Sequence, residues 1–360
     1  MNKTSIEWTH RPETGGAAGG FTWNPIRARL KVCPDCGHKH DLTARTCWQL
    51  QDIEGGTRRC LCETKQTGTF CTRISPGCTH CYASTINKRF GNGLEFTVPN
   101  LEKVEFFIDE KILEEPLRRK KPATIFVGDM FDLFHEAIPQ EMVAEVLRVA
   151  WKLPRHTFQF LTKRAERMRR LVNAAQEHWS VEFGEWMWFG ASVESQPYAD
   201  ARIPELFQTR CAVRFLSVEP MLEAVDLHGP RSMAMVDCGE AKCSNHSGLY
   251  CPLDDINWVI CGGESGPGAR PFNLAWAESL LEQCRAAGVP FFMKQVGGNP
   301  VGEGLGTAKV HHGKPEARYA QGSHARVLWD SKGGTMSEWP EHLRVREFPA
   351  EKLVPVEAGD

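Results

Sequence analysis

Short apolar runs alternate with amphipathic stretches along residues 104–296 of this chain. The runs are almost continuously apolar, as in strands that are buried on both faces of a parallel sheet. They predict strands at Val104–Ile108, Thr124–Gly128, Thr157–Leu161, Trp186–Ala191, Val213–Ser217, Trp258–Cys261 and Pro290–Met293.

Helices are predicted between most of these strands. Apolar residues recur at i, i+3 and i+4 in Pro139–Trp151, Arg164–Ala175, Tyr198–Phe207 and Leu274–Ala287. Gly288 is a helix stop, and another helix is expected to begin at Tyr82. The alternation predicts an α/β fold, a complete or partial parallel (β/α) barrel, and the pattern alone leaves an open doubly wound sheet as the alternative.

Polar residues follow the predicted strands, at the same place in each unit. Parallel strands in a barrel end on one face, so these side chains are expected to converge on one mouth. Taken singly, each also fits a helix cap or a solvated charge. The set comprises Asp129, Asp132, His135, Thr162, Lys163, Arg164, Ser192, Glu194, Glu219, Lys294 and Gln295. The predicted catalytic residues are Asp129, Lys163, Glu194 and Glu219.

A glycine-rich turn, GGESGPGAR, leaves the strand predicted at Trp258–Cys261. Glycines let backbone N–H groups approach a polar or anionic ligand closely. The turn lacks a P-loop lysine and GxGxxG spacing, and a purely structural turn is the alternative. The predicted cofactor-binding residues are Gly262, Gly263, Glu264 and Ser265.

Three cysteines, Cys71, Cys78 and Cys81, lie together in CTRISPGCTHCYA. Three thiolates at this spacing can hold a [4Fe–4S] cluster and leave one iron open for a substrate or cofactor. Zinc is the alternative, with Cys60 or Cys62 as the fourth ligand. Unligated thiols are the third interpretation, since CxxC alone does not select the metal.

Two further cysteine-rich segments interrupt the strand and helix pattern. The first insertion, residues 27–69, contains a CPDCG knuckle that predicts a zinc ribbon, with His38, His40 and Cys47 as rival ligands. The second insertion, residues 229–255, holds a possible zinc set. The predicted ligands are Cys33, Cys36, Cys60 and Cys62 in the first, and Cys238, Cys243, His246 and Cys251 in the second.

Composition and charge narrow the cellular compartment and the classes of partner that are expected. Fourteen cysteines in a chain of 360 residues that begins without a signal peptide predict a reducing, cytoplasmic compartment. The net charge of −2 gives no global basic field for nucleic acid. The basic runs Arg118–Lys121 and Lys163–Arg170 fit solvated helix faces, although a basic patch beside a zinc ribbon also suits nucleic acid. No apolar run approaches ~20 residues, so no membrane partner is expected.

Nine segments spread over most of residues 1–296 carry a family resemblance, and they are TSIEWT, TWNP, CTRISPGCTHCYA, FVGDMFDLFH, HTFQFLTKR, WFGASVES, RFLSVEP, WVICGGESGPGARP and PFFMKQ. On these segments the sequence resembles the phage- and bacteria-encoded three-Cys-motif proteins of unknown function, a family similar to radical S-adenosylmethionine enzymes. This chain departs from the CxxxCxxC spacing that is usual in radical S-adenosylmethionine enzymes, because six residues separate Cys71 from Cys78. In addition, His80 stands where an aromatic residue is usual.

The resemblance implies a partial barrel, a [4Fe–4S] cluster on the three cysteines and S-adenosylmethionine on the open iron. Reduction of the cluster would cleave that cofactor to a 5′-deoxyadenosyl radical. The GGE of Gly262–Glu264 resembles the motif that contacts the cofactor's amino group, but it occurs late in this chain.

Three function classes follow. The first is a radical S-adenosylmethionine-like enzyme, with nucleic acid or a nucleotide among the candidate substrates and a separate protein as a candidate partner. The second is a metal-dependent hydrolase or nuclease in which Asp129, Glu194 and Glu219 hold a divalent ion. The third is a non-catalytic nucleic-acid-binding protein with structural zinc. In each, residues 1–296 form the main domain, with the two insertions, and residues 297–360 form a C-terminal extension.

Overall fold

A computed structural model gives the fold of this chain. It describes residues 1–4, 6–10, 20–32, 50–53, 56–59, 67–227, 252–266, 268–302, 308–311, 314–317, 330 and 332–349. The zinc ligands predicted in the two insertions lie outside the described residues, as do the rival ligands His38, His40 and Cys47.

The predicted helices are present, with small differences at their ends. The helices are α1 Tyr82–Phe90, α2 Val98–Leu101, α3 Glu110–Leu113, α4 Glu115–Arg118, α5 Gln140–Trp151, α6 Ala165–Trp179, α7 Gln196–Phe207 and α8 Leu274–Ala287. The side chain of Asn273 caps the start of α8, and Gly288 ends it in the left-handed region at φ 69°. The helix stop predicted at Gly288 is therefore confirmed.

The strands form one large sheet and several small ones. They are β1 Asn2–Lys3, β2 Phe21–Trp23, β3 Ile26–Leu30, β4 Leu50–Ile53, β5 Gly56–Arg59, β6 Thr67–Gly68, β7 Val104–Ile108, β8 Thr124–Val127, β9 Thr157–Thr162, β10 Met187–Ser192, β11 Val213–Val218, β12 Trp258–Gly262, β13 Phe272–Asn273, β14 Phe291–Gln295, β15 Pro300–Val301, β16 Ala308–His311 and β17 Lys314–Ala317. The large sheet has the order β1-β2-β8-β9-β10-β11-β12-β14. All its neighbouring strands are parallel except β1, which is antiparallel to β2.

One predicted strand belongs elsewhere. Val104–Ile108 pairs antiparallel with β3 in a three-stranded sheet, and the short strand β2 takes the place beside β8 in the large sheet. The burial of the two strands β7 and β8 explains why they belong to different sheets. Residues of β7 are partly buried and partly half-buried, whereas β8 is buried at every position. A strand in the middle of a parallel sheet is covered on both faces.

The helices of the described residues pack on one face of the large sheet. Ile125 and Val127 of β8 share one hydrophobic cluster with the buried residues of α5, α6, α7 and α8. Phe126, which points the other way, belongs to a second cluster that contains no α-helical residue of the described chain. A doubly wound sheet carries helices on both faces, and the described residues place α-helices against one face.

The other face of the sheet curls around Trp8. The ring of Trp8 lies 4.6 Å from Phe126 and 6.2 Å from both Phe215 and Trp258, measured between centroids. These partners come from β8, β11 and β12, and the turn Glu7–Thr9 also contacts β14. The sheet therefore wraps around one side chain, although its two edges do not pair with each other within the described ranges and a closed barrel is not observed.

The segment at 343–348 covers the β14 edge. Met293 donates its N–H to the carbonyl of Val345 at 2.8 Å, and Glu347 donates to Phe291 at 2.9 Å. Phe348 packs against the rings of Trp258 and Phe292. This segment satisfies backbone groups that an edge strand would leave unpaired. Among the described helices, none combines the length and apolar character needed to cross a bilayer.

Candidate functional site

A cavity of about 350 Å³ opens where the parallel strands end. Parallel strands deliver their carboxyl ends to the same side of a sheet, which is why distant parts of the chain meet here. The predicted site residues that line it are Cys71, Cys78, Cys81, Asp129, Lys163, Glu219, Gly263, Glu264 and Ser265. Of the predicted catalytic and cofactor-binding residues, Glu194 and Gly262 do not line the cavity, although a Cβ on Gly262 would contact Glu219.

The wall of the cavity changes from apolar to polar along the strands. Its floor includes Trp8, Phe126 and Leu161. Ser217 and Lys294 lie two residues beyond the inward-facing rings of Phe215 and Phe292 on their strands. Because side chains alternate across a strand, these polar groups face the same side as the aromatic rings. The cavity thus presents an apolar base and a polar rim.

The three cysteines are free thiols on one segment at this rim, residues 71–81, the cysteine loop. All three are half-buried, and α1 begins directly after Cys81. Burial raises the pKa of the Cys71 thiol to about 12, against the opposing effect of Arg164. Burial also raises the pKa of Cys81. Since metals bind thiolates, loading of this site would release protons from these cysteines.

Arg164 connects the cysteine loop to the end of β9. Its Nη1 lies 3.7 Å from Cys71 Sγ and 3.0 Å from Asp132 Oδ2. Its Nη2 donates to the carbonyl of Thr72 at 3.1 Å, and its Nε donates to Glu136 at 2.7 Å. The guanidinium is almost fully buried, so these partners are needed to offset its desolvation.

His135 contacts the same loop through the side chain of Thr72. Its Nδ1 accepts the N–H of Ala137 at 3.1 Å, so the ring proton is on Nε2, 2.8 Å from Thr72 Oγ1. Burial is the main reason that the pKa of His135 is lowered to about 4, and the nearby Arg164 adds to this. The imidazole is therefore neutral at pH 7 and acts as a hydrogen-bonding strut.

Glu264 does not offer a free carboxylate to the cavity. Oε1 accepts from Arg270 Nη2 at 2.6 Å, and Oε2 accepts from Arg270 Nε at 3.0 Å and lies 2.9 Å from His80 Nδ1. Burial alone would raise the pKa of Glu264, but the hydrogen bonds from Arg270 and His80 hold it at about 2. Arg270 Nη1 also donates to the carbonyl of Pro76. Glu264 thus fastens the glycine-rich turn to the cysteine loop.

Glu194, predicted as catalytic, lies behind the cavity wall. It is fully buried and accepts from Arg202 Nη1 at 2.7 Å and from Lys163 Nζ at 3.3 Å. Burial alone would raise the pKa of Glu194, but the positive charges of Lys163 and Arg202 outweigh burial, so the pKa is lowered overall. A Cβ on Gly77 would lie 3.0 Å from its carboxylate, so the cysteine loop packs directly on Glu194. This carboxylate holds Lys163 and the loop in place.

Glu219 and Asp129 remain at the cavity. Lys294 Nζ donates to Glu219 Oε1 at 2.7 Å and to Oε2 at 2.9 Å. Asn24 Nδ2 donates to Asp129 Oδ1 at 2.6 Å, and burial outweighs this bond to raise the pKa of Asp129. Asn24 is a site residue that the sequence analysis missed, and TWNP was the only signal for it.

The side chains at the cavity differ in how well they suit the metals that the sequence predicts. No three His, Cys, Asp or Glu side chains of the described ranges are placed to share one metal ion. Asp129 and Glu219 each contact a different neutral or cationic partner, and Glu194 is engaged behind the wall. A divalent ion held by these three carboxylates is therefore not preformed. A cluster is a different case, because each cysteine binds its own iron and the sulfurs need not meet at one point.

Comparison with known proteins gives one match. Residues 62–331, more than half of the chain, match the family described as "Protein of unknown function (DUF5131)". The match includes the cysteine loop and the strands from β7 to β14, while Trp8, Asn24 and the edge-covering segment at 343–348 lie outside it. No curated protein and no solved structure matches the chain.

Proposed function

We propose that this chain, which belongs to the DUF5131 family of proteins of unknown function, is an iron–sulfur enzyme of the radical S-adenosylmethionine type. The observation that carries the proposal is the arrangement of Cys71, Cys78 and Cys81 around one cavity at the ends of parallel strands. Helices on one face and a curled sheet are also what the partial barrel of such enzymes would require.

The donor set suits a [4Fe–4S] cluster with one open iron. Cys71, Cys78 and Cys81 are free thiols that line the same cavity, and such clusters are held by cysteine thiolates. With three ligands from the chain, the fourth iron position would be left to a small molecule. When bound, the cluster would supply an electron for the reductive cleavage of S-adenosylmethionine.

The cavity offers complementary groups for that cofactor. A volume of about 350 Å³ falls within the range typical of small-molecule sites. Lys163 and Lys294 place cationic groups at the cavity that suit a carboxylate, and Asp129 provides an acceptor for an ammonium group or a ribose hydroxyl. The apolar floor around Trp8 suits a planar base. Glu264, at the cavity wall, keeps the cysteine loop in position through its bonds to His80 and Arg270.

The metal-dependent hydrolase has less support. Its three predicted carboxylates are engaged with Asn24, Arg202 and Lys294, and Glu194 does not reach the cavity. Within the described ranges these carboxylates are not placed around one point, so they would have to move to share one ion. The substrate beyond S-adenosylmethionine stays open in the proposal, with nucleic acid among the candidates.

Anaerobic purification followed by iron and sulfide analysis tests the proposal. We expect about four irons per chain and, with S-adenosylmethionine and dithionite, the release of 5′-deoxyadenosine and methionine detected by mass spectrometry. A cluster-loaded protein that neither binds nor cleaves the cofactor would exclude the radical mechanism.

A further inference from the structure

The guanidinium of Arg164 is buried beside a sulfur of the cysteine loop. It lies 3.7 Å from Cys71 Sγ and is 6% exposed. The other hydrogen bonds to sulfurs of the cysteine loop involve neutral groups, such as the Ser75 hydroxyl near Cys78. Among the described residues, Arg164 is therefore the charged side chain that donates a hydrogen bond to a cysteine sulfur of this loop.

The orientation of this guanidinium is fixed on several sides. Its Nε donates to Glu136, its Nη1 to Asp132 and its Nη2 to Thr72. A guanidinium is planar and rigid, so bonds at all three nitrogens prevent it from turning away from Cys71. The contact with sulfur is thus built into the fold.

We infer that Arg164 is a positioning residue that tunes the iron bound by Cys71 and raises the reduction potential of the cluster. The inference rests on the proposed function. Reduction adds one electron from an external reductant such as dithionite, and no bond forms or breaks. A hydrogen bond and a positive charge at the thiolate stabilise the more negative, reduced state.

Glu136 opposes this effect. Its carboxylate is the partner of Arg164 Nε at 2.7 Å, and it offsets part of the guanidinium charge. Its side chain is 63% exposed, so Glu136→Gln removes a charge with little risk to the fold. Neutralising Glu136 should therefore move the potential in the opposite direction to neutralising Arg164.

Arg167 provides a matched control. It lies in α6, which begins directly after Arg164, and it donates to the carbonyls of His135 and Ile138 in the loop that also carries Asp132. No contact with a cysteine is recorded for it among the described residues. Arg167→Gln thus removes an equal charge and a similar anchor without removing a sulfur contact.

The experiment is a potentiometric titration, followed by electron paramagnetic resonance, of the reconstituted full chain. We expect a lower potential for Arg164→Gln, a higher one for Glu136→Gln and a smaller change than either for Arg167→Gln. If Arg164→Gln does not load, an upward shift in Glu136→Gln supports the inference and no shift overturns it. If the wild type loads and the three variants give equal potentials, the inference alone is wrong. If the wild type binds no cluster, the proposed function fails and this inference fails with it.

Discussion

His80 and Glu264 are 184 residues apart in the chain and 2.9 Å apart in the fold. Because the carboxyl of Glu264 has a pKa of about 2, it is ionised at neutral pH and His80 Nδ1 must be the donor. Arg270 strengthens the connection by binding both Glu264 and the carbonyl of Pro76. The glycine-rich turn thus serves as the anchor of the cysteine loop.

Glu264→Gln should loosen this anchor. The change leaves Arg270 and His80 without their buried carboxylate, and we expect a loss of about 1–3 kcal/mol in the free energy of unfolding. The loaded protein should also lose iron faster to a chelator. Urea denaturation and timed iron release measure the two effects.

The control for this variant is Glu278→Gln. Glu278 also contacts a histidine, His342, at 2.7 Å, but both side chains are more than 40% exposed. Exposed pairs contribute little to stability, so this variant should behave as the wild type. Equal behaviour of the two variants would contradict the anchoring role of Glu264.

Replacement of Cys71, Cys78 and Cys81 by alanine should remove the iron. The reconstituted wild type is expected to hold about four irons and the triple variant close to none, as measured by iron and sulfide assays. Cys211→Ala is the control, since Cys211 is a free, half-buried thiol that does not line the cavity. Full iron content in the triple variant would show that the cluster lies elsewhere.

Lys294→Gln should weaken the binding of S-adenosylmethionine. The change removes a cation at the cavity wall and leaves Glu219 without its main partner. We expect about a tenfold increase in Kd, equivalent to about 1.4 kcal/mol, by equilibrium dialysis with cluster-loaded protein. Lys152→Gln, at an exposed position after α5, should leave Kd unchanged. An unchanged Kd in both variants would remove Lys294 from the binding site.

His135 should make stability depend on pH. Its pKa is about 4 in the fold and about 6.5 in an unfolded chain, so between these values the unfolded state binds more protons. Stability should therefore fall as the pH is lowered from about 6.5 to 4, by at most about 1.4 kcal/mol per pH unit from this residue. His135→Gln should reduce that slope in urea titrations, and an unchanged slope would contradict the assignment.

The knuckle in the first insertion gives a prediction from sequence alone, because it lies outside the described residues. Cys33→Ser combined with Cys36→Ser should lower the zinc content by about one equivalent and leave iron unchanged. Metal analysis of the purified protein measures both. A loss of iron instead would mean that these cysteines belong to the cluster.

The local pattern of apolar and polar residues was sufficient to predict the strands and helices that are buried on one or both sides. The runs at Thr124–Gly128 and Trp258–Cys261 lie within two residues of the observed strands, and the amphipathic stretch at Leu274–Ala287 is a helix with the same bounds. Burial of a whole strand or of one helix face requires apolar residues at fixed intervals, so the sequence carries that information directly.

The place of a strand in a sheet was not available from such patterns. Phe21–Trp23 is too short to show a period, yet it pairs with β8, whereas the clearer run Val104–Ile108 joins a different sheet. Pairing is a contact between distant segments, and composition does not specify which segments meet. Trp8 illustrates the same point, because only the curl of the sheet gives it a position in the interior.

For the site, the sequence determined which residues stand at the ends of the parallel strands, among them Asp129, Lys163 and Glu219. These three residues and the three cysteines line one cavity in the structure. Only the tertiary structure decided what each charge does there. Glu194 and Glu219 both follow a strand, but one is buried against Arg202 and the other faces the cavity with Lys294. The reason is physical: a buried carboxylate takes the cation that packing places beside it, and that neighbour comes from elsewhere in the chain.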